Sequence, residues 1–385
     1  MPVPALLSMI RELIALPSVS SVAPAFDQGN RAVVERLAEW LAALGFRTEV
    51  QPLADPRKAN LIATLGRGPG GLVLSGHTDT VPFDAGRWSV DPFGGVERDG
   101  RLYGLGSADM KSFLALAIEA ARGLDAAALR QPLIILATAD EESSMDGAQA
   151  LVAAGRPLGR FAVIGEPTGL RPVRQHKGVM MEAIRITGRA GHASDPRLGN
   201  SALEGMHRVI GELLSLRGEW AQRYRNPQFE VDVPTLNLGS IHGGDNPNRI
   251  CGHCELAIDI RPLPGMDMAA LRGEIAARLG SVLAGSGLAL DTAPLIHGIA
   301  PFETAADSPL VRAAEALTGH AAGSVAFGTE APYLRELGLD TIVLGPGDIA
   351  QAHQPDEFIA LASLNPTVEL LRALIRRFCL EPSAA

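Results

Sequence analysis

The sequence has few cysteines, no basic run and no apolar stretch of membrane-spanning length. Only Cys251, Cys254 and Cys379 occur among 385 residues, which is too few for a disulfide scaffold and favours a reducing compartment. Lysine and arginine number 34 against 43 aspartates and glutamates, so the formal net charge is −9. Nucleic acids and anionic membranes bind clustered basic residues, and we therefore expect neither as a partner.

The N-terminal segment does not resemble an export signal. Leu6, Ile10 and Leu13 lie at helical spacing, but Arg11 and Glu12 interrupt the apolar stretch and no small-residue cleavage site follows. The pattern predicts an amphipathic helix that ends before a proline. We therefore expect a cytoplasmic protein.

Short apolar runs alternate with helical segments over residues 1–175 and again over 295–385. Apolar strands without polar alternation, separated by helices, are typical of an α/β sheet covered on both faces. The predicted strands and helices are Leu72–Leu74, Leu133–Ala137, Ala162–Ile164 and Thr341–Leu344, and Arg31–Leu44, Lys111–Leu124 and Thr367–Arg377.

Residues 176–294 have a different pattern, in which strands and helices follow the order β-α-β-β-α-β. This order is that of a small two-layer α+β domain of the ferredoxin-like type. Its predicted elements are Met180–Thr187, a helix marked by Leu203 to Leu213, Thr235–Ile241, Leu256–Arg261, Met268–Leu283 and Leu288–Thr292. The sequence therefore predicts a discontinuous α/β domain, 1–175 and 295–385, with an α+β domain inserted at 176–294.

Histidines and carboxylates follow the predicted strands of the α/β domain at the points where the strands end. In open α/β sheets, ligands bind beyond the carboxyl ends of the strands. Two histidines and several carboxylates suit zinc better than calcium, because imidazole is a poor ligand for a hard cation. Any one of these acids has a plain alternative as a solvated strand end or a helix cap; Asp109, for example, precedes a helix. The residues in question are His77, Asp79, Asp109, Asp140, Glu141, Glu142, Glu166, His353 and Glu357.

Five short segments resemble motifs of the co-catalytic zinc aminoacylase, carboxypeptidase and deacetylase family: 75–81 (SGHTDTV), 108–111 (ADMK), 140–142 (DEE), 166–168 (EPT) and 352–357 (AHQPDE). The resemblance covers nearly the whole chain, and one departure is Ser112, where glycine is usual. It implies a zinc-exopeptidase-like catalytic domain with an inserted lid and dimerisation domain. It also implies two Zn²⁺ ions per chain, for which Co²⁺ or Mn²⁺ can substitute.

The resemblance assigns a role to each residue of the metal motifs. His77 and Glu166 would bind one metal ion, Glu142 and His353 the other, and Asp109 would bridge the two. Asp79 would fix the tautomer of His77, although a turn-capping aspartate is the plain alternative. Glu141 would be the general base, with a simple charged strand end as the alternative.

A second group of residues is matched to substrate recognition. His192 would stabilise the oxyanion in the site of a partner subunit, which implies a homodimer joined through the insert. Asn248 and Arg261 would bind the substrate, with Arg261 holding a carboxylate. The alternatives are a solvated loop histidine and a surface arginine paired with Asp259.

Two further substrate contacts are predicted near the C-terminal part of the catalytic domain. The segment Gly345-Pro346-Gly347 is expected to form a turn whose N–H groups line the pocket. Glu330 is the candidate partner for a cationic substrate side chain, and a glutamate that starts a helix is the alternative.

Longer stretches indicate the branch of the family. GHASDP (191–196), DIRPLPG (259–265) and GTEAP (328–332) resemble the branch that removes the acetyl group from the α-nitrogen of N²-acetylornithine, a step in arginine biosynthesis, and the resemblance implies this reaction. Succinyl-diaminopimelate, acetylcitrulline, other acyl-amino acids and dipeptides are the alternative substrates. An inactive metal-stabilised scaffold is the alternative from another class, and an intact Glu141 speaks against it.

The segment Cys251-Gly252-His253-Cys254 resembles a metal knuckle or a redox pair. Residues 254, 256, 258 and 260 alternate along one face of a predicted strand, which would place Cys251 and Cys254 on opposite faces. We therefore predict ordinary buried or edge cysteines.

Overall fold

The structure is a computed structural model that describes residues 3–156 and 158–382. The chain divides into two compact units: a large unit of Met1–Arg174, Thr304–Gly323 and Glu330–Ala385, and a small unit of Gln175–Glu303 and Ser324–Thr329. The sequence placed the insert at 176–294. In the structure, the small unit extends to Glu303 and also includes Ser324–Thr329. No pattern in the sequence indicated that this short segment belongs to the small unit.

The strands of the described chain are numbered in order. They are β1 (Arg47–Pro52), β2 (Ala59–Leu65), β3 (Leu72–His77), β4 (Val96–Arg98), β5 (Arg101–Tyr103), β6 (Leu133–Thr138), β7 (Phe161–Pro167), β8 (Val173–His176), β9 (Met180–Thr187), β10 (Gly191–His192), β11 (Thr235–Gly243), β12 (Arg249–Ile250), β13 (His253–Arg261), β14 (Ala289–Pro294), β15 (Phe302–Glu303), β16 (Gly323–Val325), β17 (Asp340–Gly345) and β18 (Phe358–Ala360).

The helices are numbered in the same way. They are α1 (Leu6–Ile14), α2 (Arg31–Ala43), α3 (Lys111–Ala121), α4 (Asp146–Ala154), α5 (Ala202–Arg223), α6 (Met268–Leu283), α7 (Pro309–Thr318), α8 (Ala331–Glu336) and α9 (Leu364–Ile375). Within the described ranges, none of these helices is both long and apolar enough to cross a membrane.

The main sheet of the large unit has the order β1-β2-β6-β3-β7-β17. Strands β6, β3, β7 and β17 run parallel to one another, whereas β1 and β2 are antiparallel additions. The four parallel strands are buried along nearly their whole length, which explains their continuous apolar runs. Their carboxyl ends therefore lie at one edge of the sheet.

Helix α3 lies at the centre of the large unit. Of its residues, only Glu119 is not fully buried, and it packs against α1, α9 and strand β3. Phe113 of this helix comes so close to Gly165 that a Cβ at that glycine would lie 1.9 Å from the ring. This close packing fixes the start of α3, and with it the loop that carries Asp109, against β7.

The small unit has the predicted β-α-β-β-α-β order. Its sheet has the order β11-β13-β9-β14 with every pair antiparallel, as in ferredoxin-like domains. Its core contains Trp220 of α5, Leu279 of α6 and Ile184 of β9. The α/β fold with an inserted α+β domain is confirmed.

The cysteines Cys251 and Cys254 are buried and free, as predicted. The geometric reason was wrong, however. Strand β13 begins at His253, so Cys251 precedes it, and both side chains belong to the same apolar core. Cys251 donates a hydrogen bond to the carbonyl oxygen of His253.

Candidate metal centre

The predicted metal ligands of the large unit come together at the carboxyl edge of its parallel strands. His77 is the last residue of β3, Glu166 lies near the end of β7, and Glu142 follows β6. Asp109 lies in the loop before α3, and His353 follows β17. The sheet topology therefore gathers residues that are up to 276 positions apart in the sequence.

Asp109 lies between two histidines. Its Oδ1 is 3.0 Å from His77 Nε2, and its Oδ2 is 3.7 Å from His353 Nε2. His77 Nε2 is also 3.9 Å from Glu166 Oε1, and His353 Nε2 is 3.0 Å from Glu142 Oε2. The arrangement is two His–Glu pairs that share one aspartate, which is a suitable geometry for two adjacent metal ions.

The hydrogen bonds of His77 favour a metal at Nε2. Its Nδ1 donates to the carbonyl oxygen of Asp79 at 3.0 Å, because a carbonyl oxygen can only accept. The Asp79 carboxylate stands farther away, with Oδ1 at 3.7 Å from Nδ1, so the main chain and not the carboxylate makes the close contact. With the proton on Nδ1, the lone pair of Nε2 is free to bind a cation.

The carboxylates of the cluster lie close together in a buried site, which disfavours their negatively charged forms. Burial, followed by the charges of neighbouring acids, raises the pKa of Glu141 and of Glu166 well above the ordinary range and also raises that of Glu142. Glu166 Oε1 has no hydrogen-bond partner among the described residues. A divalent cation would supply both the missing charge and the missing partner, so the residues fit a metal site.

Glu141 lies beside the ligand pairs without belonging to either. One of its carboxylate oxygens, His77 and Glu166 offer atoms within 4.8 Å of one another, as do His77, Asp109 and Glu142. Glu141 is a residue of intermediate burial, whereas His77 and Glu166 are buried. A carboxylate at the open side of a metal pair is well placed to exchange a proton with a water molecule.

A strained turn presents Glu141 and Glu142. Asp140 has φ +60°, and its carbonyl oxygen accepts hydrogen bonds from the N–H groups of Ser144 and Met145. The N–H of Glu142 donates to Asp79 Oδ2 at 3.0 Å. Asp79 therefore makes two contacts in the site: its carbonyl oxygen accepts from His77, and its carboxylate holds the backbone of Glu142.

Glu357 supports Asp109, a role that was not predicted from the sequence. Its carboxylate is 1% exposed and accepts hydrogen bonds from the N–H groups of Gly106, Ala108 and Asp109, at 3.0, 2.7 and 3.0 Å. Burial raises its pKa to about 8, although these three donors lower it. Because Glu357 belongs to the 352–357 motif, its place in that motif was the signal that could have identified it.

The candidate substrate residues His192, Asn248 and Arg261 belong to the small unit. His192 is exposed on β10, which pairs with β12, and the N–H of Ala193 donates to the carbonyl oxygen of Asn248 at 2.9 Å. The structure thus brings His192 and Asn248 onto neighbouring segments. Arg261 Nε lies 2.9 Å from Asp259 Oδ1, so the ion pair of the alternative interpretation is present.

Gly345 and Gly347 contact the Glu166 segment, and the prediction that their N–H groups line a pocket needs correction at Gly345. The N–H of Gly345 donates to Thr168 Oγ1 at 3.2 Å and is not free. A Cβ at Gly345 would lie 2.1 Å from the carbonyl oxygen of Gly165. Glycine is needed here because β17 approaches β7 closely, which fixes the segment carrying Glu166.

Glu330 lies inside the large unit and not on an exposed pocket wall. Its side chain is 1% exposed, precedes α8, and accepts a hydrogen bond from Thr138 Oγ1 at 2.9 Å. Burial raises its pKa to about 7. At 1% exposure, Glu330 offers almost no accessible surface to a substrate side chain, although its Oε1 has no hydrogen-bond partner among the described residues.

We therefore expect Glu330→Gln to leave the preference for cationic over neutral substrate side chains unchanged within about twofold, since the residue does not contact solvent. The ratio of kcat/KM for N²-acetylornithine and N-acetylnorleucine checks this. A large loss confined to the cationic substrate would restore the recognition role predicted from the sequence.

Comparisons with known proteins agree with this fold. The model of the peptidase family M20/M25/M40 matches residues 73–377, and the chain belongs to this family. It is a hydrolase that acts on amide bonds.

The similarity to named relatives extends over the full chain. This chain is 50% identical over 382 residues to an acetylornithine deacetylase of Proteus mirabilis. The alignment covers 99% of this chain and 98% of that one. Among solved structures, an aminopeptidase of Bacillus cereus superposes with a TM-score of 0.76 at 21% identity, covering 96% of this chain and 97% of that chain. A dinuclear metal-binding peptidase of Bacillus subtilis superposes with a TM-score of 0.67 at 16% identity, covering 96% and 97%.

Proposed function

We propose that this protein removes the acetyl group from N²-acetyl-L-ornithine, giving L-ornithine and acetate. The reaction would take place in the cytoplasm, as a step of arginine biosynthesis. The observation that carries the chemistry is the shared Asp109 between two His–Glu pairs, with Glu141 beside them. The choice of substrate is supported by the 50% identity to an enzyme named for this reaction.

The metal assignment follows from the contacts of the cluster. His77 and Glu166 would hold one ion, Glu142 and His353 the other, and Asp109 would be shared by the two. Zn²⁺ is the proposed metal, and Co²⁺ and Mn²⁺ tolerate the same mixed donor set. When bound, such a pair polarises the scissile carbonyl and lowers the pKa of water.

Glu141 performs the proton transfers in this proposal. Its carboxylate takes a proton from the attacking water and delivers it to the nitrogen of the leaving α-amine. Asp79 orients His77 through its carbonyl oxygen and holds the backbone of Glu142 through its carboxylate. Asp79 therefore holds in place both His77 and Glu142, which lie next to the base Glu141.

His192 is the proposed oxyanion donor. The N–H of Ser194 donates to His192 Nδ1 at 3.2 Å, and Ser194 Oγ lies 2.7 Å from the same nitrogen, so Nε2 of this exposed histidine carries the donor proton. A solvent-facing N–H can donate to the oxygen that becomes negative during attack on the amide. Arg261 would bind the substrate carboxylate in a bidentate contact, through two N–H groups of its guanidinium. Asn248 would help to position the substrate.

We propose that the protein is a homodimer joined through its small unit, with His192 of each chain serving the other. Strand β11 is the last strand of its sheet, and most of its residues from Asn237 to Gly243 are exposed. Within the part of the chain that the structure describes, no strand pairs with its outer edge, and such an edge can pair with a second copy.

We expect zinc-loaded protein to hydrolyse N²-acetylornithine faster than succinyl-diaminopimelate or acetylcitrulline, as measured by ninhydrin detection of the released amine. Removal of metal by a chelator should abolish the activity, and added Zn²⁺ or Co²⁺ should restore it. Faster turnover of another acyl-amino acid would contradict the substrate and keep the site. Two bound metals without turnover of any substrate would favour an inactive scaffold.

A further inference from the structure

A buried lysine lies behind the turn that presents the two adjacent glutamates. Lys58 precedes β2, is 9% exposed, and places its Nζ 2.7 Å from Asp140 Oδ1 and 2.8 Å from Asp27 Oδ1. Asp140 is itself buried and also accepts a hydrogen bond from Ser20 Oγ at 2.7 Å. The Lys58 ammonium is thus shared between two carboxylates from separate segments.

Asp140 needs this support because its backbone is in an uncommon conformation. A residue other than glycine at φ +60° costs free energy, and aspartate tolerates it only somewhat better than most residues. The next two residues are Glu141 and Glu142, so a change at this φ angle would redirect both carboxylates. No other charged side chain of the described residues forms an ion pair with Asp140.

Lys58 is charged in this position. Burial lowers its pKa, but the hydrogen bonds and charges of Asp140 and Asp27 outweigh burial, and the pKa lies above the ordinary value. A buried ammonium with two carboxylates in contact is held in one place, because leaving either partner unpaired is costly. Its position therefore fixes the position of the Asp140 side chain.

We infer that Lys58 is a positioning residue for catalysis: it holds Asp140 in the left-handed turn and thereby aims Glu141 at the reacting water and Glu142 at its metal ion. The inference rests on the proposed two-metal hydrolysis. Lys58 does not touch the ligands, the base or the substrate, so its effect passes entirely through the backbone of Asp140. A misplacement of about 1 Å in such a group can cost roughly 100-fold in rate.

The experiment compares Lys58→Met with the neighbouring variant Arg57→Met. Arg57 contacts Asp27 and Asp55 and does not contact Asp140, so it is a matched control for the loss of a cation in the same loop. We expect Lys58→Met to lower kcat by roughly 10- to 100-fold with KM within about twofold, and Arg57→Met to leave both within about twofold. Lys58→Arg, which keeps the charge, should recover part of the loss.

Zinc binding supplies a readout independent of turnover. In competition with a chromophoric chelator, Lys58→Met should release one of two zinc ions at a lower chelator concentration than the wild type, because Glu142 is displaced. If wild-type protein hydrolyses no acyl-amino acid, the proposed function fails, whereas this zinc measurement still decides the role of Lys58. Where Lys58→Met is insoluble, Asp140→Asn removes the ion pair with little change in side-chain shape and should show the same changes.

Two results would overturn the inference. One is folded Lys58→Met that binds two zinc ions like the wild type and keeps kcat within about twofold. The other is an equal loss of kcat in Arg57→Met, which would mean that the loop contributes only general stability.

Discussion

Glu141→Gln is expected to lower kcat by about 10²- to 10⁴-fold while the protein still binds two metal ions. Glutamine has nearly the same shape as glutamate but cannot take a proton from water at neutral pH. The side chain lies beside the metal cluster and outside the two His–Glu pairs. Its loss should therefore remove proton transfer and leave metal binding intact.

Steady-state kinetics on N²-acetylornithine, with metal content measured by mass spectrometry on the same samples, tests this prediction. Glu35→Gln is the control, because Glu35 is an exposed glutamate of α2 whose only ion pair among the described residues is with Arg31. Glu142→Gln should differ from Glu141→Gln by losing a metal ion as well as activity. A fully metal-loaded Glu141→Gln protein with near-normal kcat would remove Glu141 from the mechanism.

The metal cluster could be predicted because its residues lie where apolar strands end. Parallel strands bring their carboxyl ends to one edge of the sheet. The strand pattern alone was therefore enough to predict that His77 and Glu166 lie close together. The β-α-β-β-α-β order of the small unit was likewise visible in apolar periodicity. These features depend on local sequence and on a general rule of topology.

The supporting contacts could not be predicted in the same way. Lys58 lies in a polar loop with Asp55 and Arg57, where a lysine normally has a solvated side chain, and its partner Asp140 is 82 residues away. Glu330 is a comparable case: a glutamate in a glycine-containing segment was predicted to contact the substrate, and its side chain is buried against Thr138. Whether a charged residue is buried depends on the tertiary packing around it, which has no local signal.

Asp109→Asn is expected to prevent tight binding of both metal ions and to reduce turnover to background. Oδ1 of Asp109 faces His77 and Oδ2 faces His353, so one substitution weakens both sites. Asparagine keeps the shape but offers one oxygen and no negative charge. Zinc should then no longer raise the melting temperature, whereas for the wild type each site adds about 2.7 kcal/mol at a free zinc concentration 100-fold above Kd.

Asp99→Asn is the matched control for Asp109→Asn. Asp99 is an exposed aspartate in a turn at φ +52°, a conformation that asparagine also adopts, and it does not belong to the cluster. Metal content and the zinc-dependent melting temperature should be unchanged in this variant. Two tightly bound zinc ions in Asp109→Asn would show that another carboxylate holds the two sites together.

Glu141 is the residue that would take over in that case, because its carboxylate lies within 4.8 Å of ligand atoms of His77 and Glu166. The two substitutions therefore test each other. If Asp109 bridges and Glu141 is the base, Asp109→Asn loses both zinc ions, and Glu141→Gln keeps both and loses turnover. If the assignments are reversed, Glu141→Gln loses zinc and Asp109→Asn keeps it, so metal content alone distinguishes the two arrangements before any rate is measured.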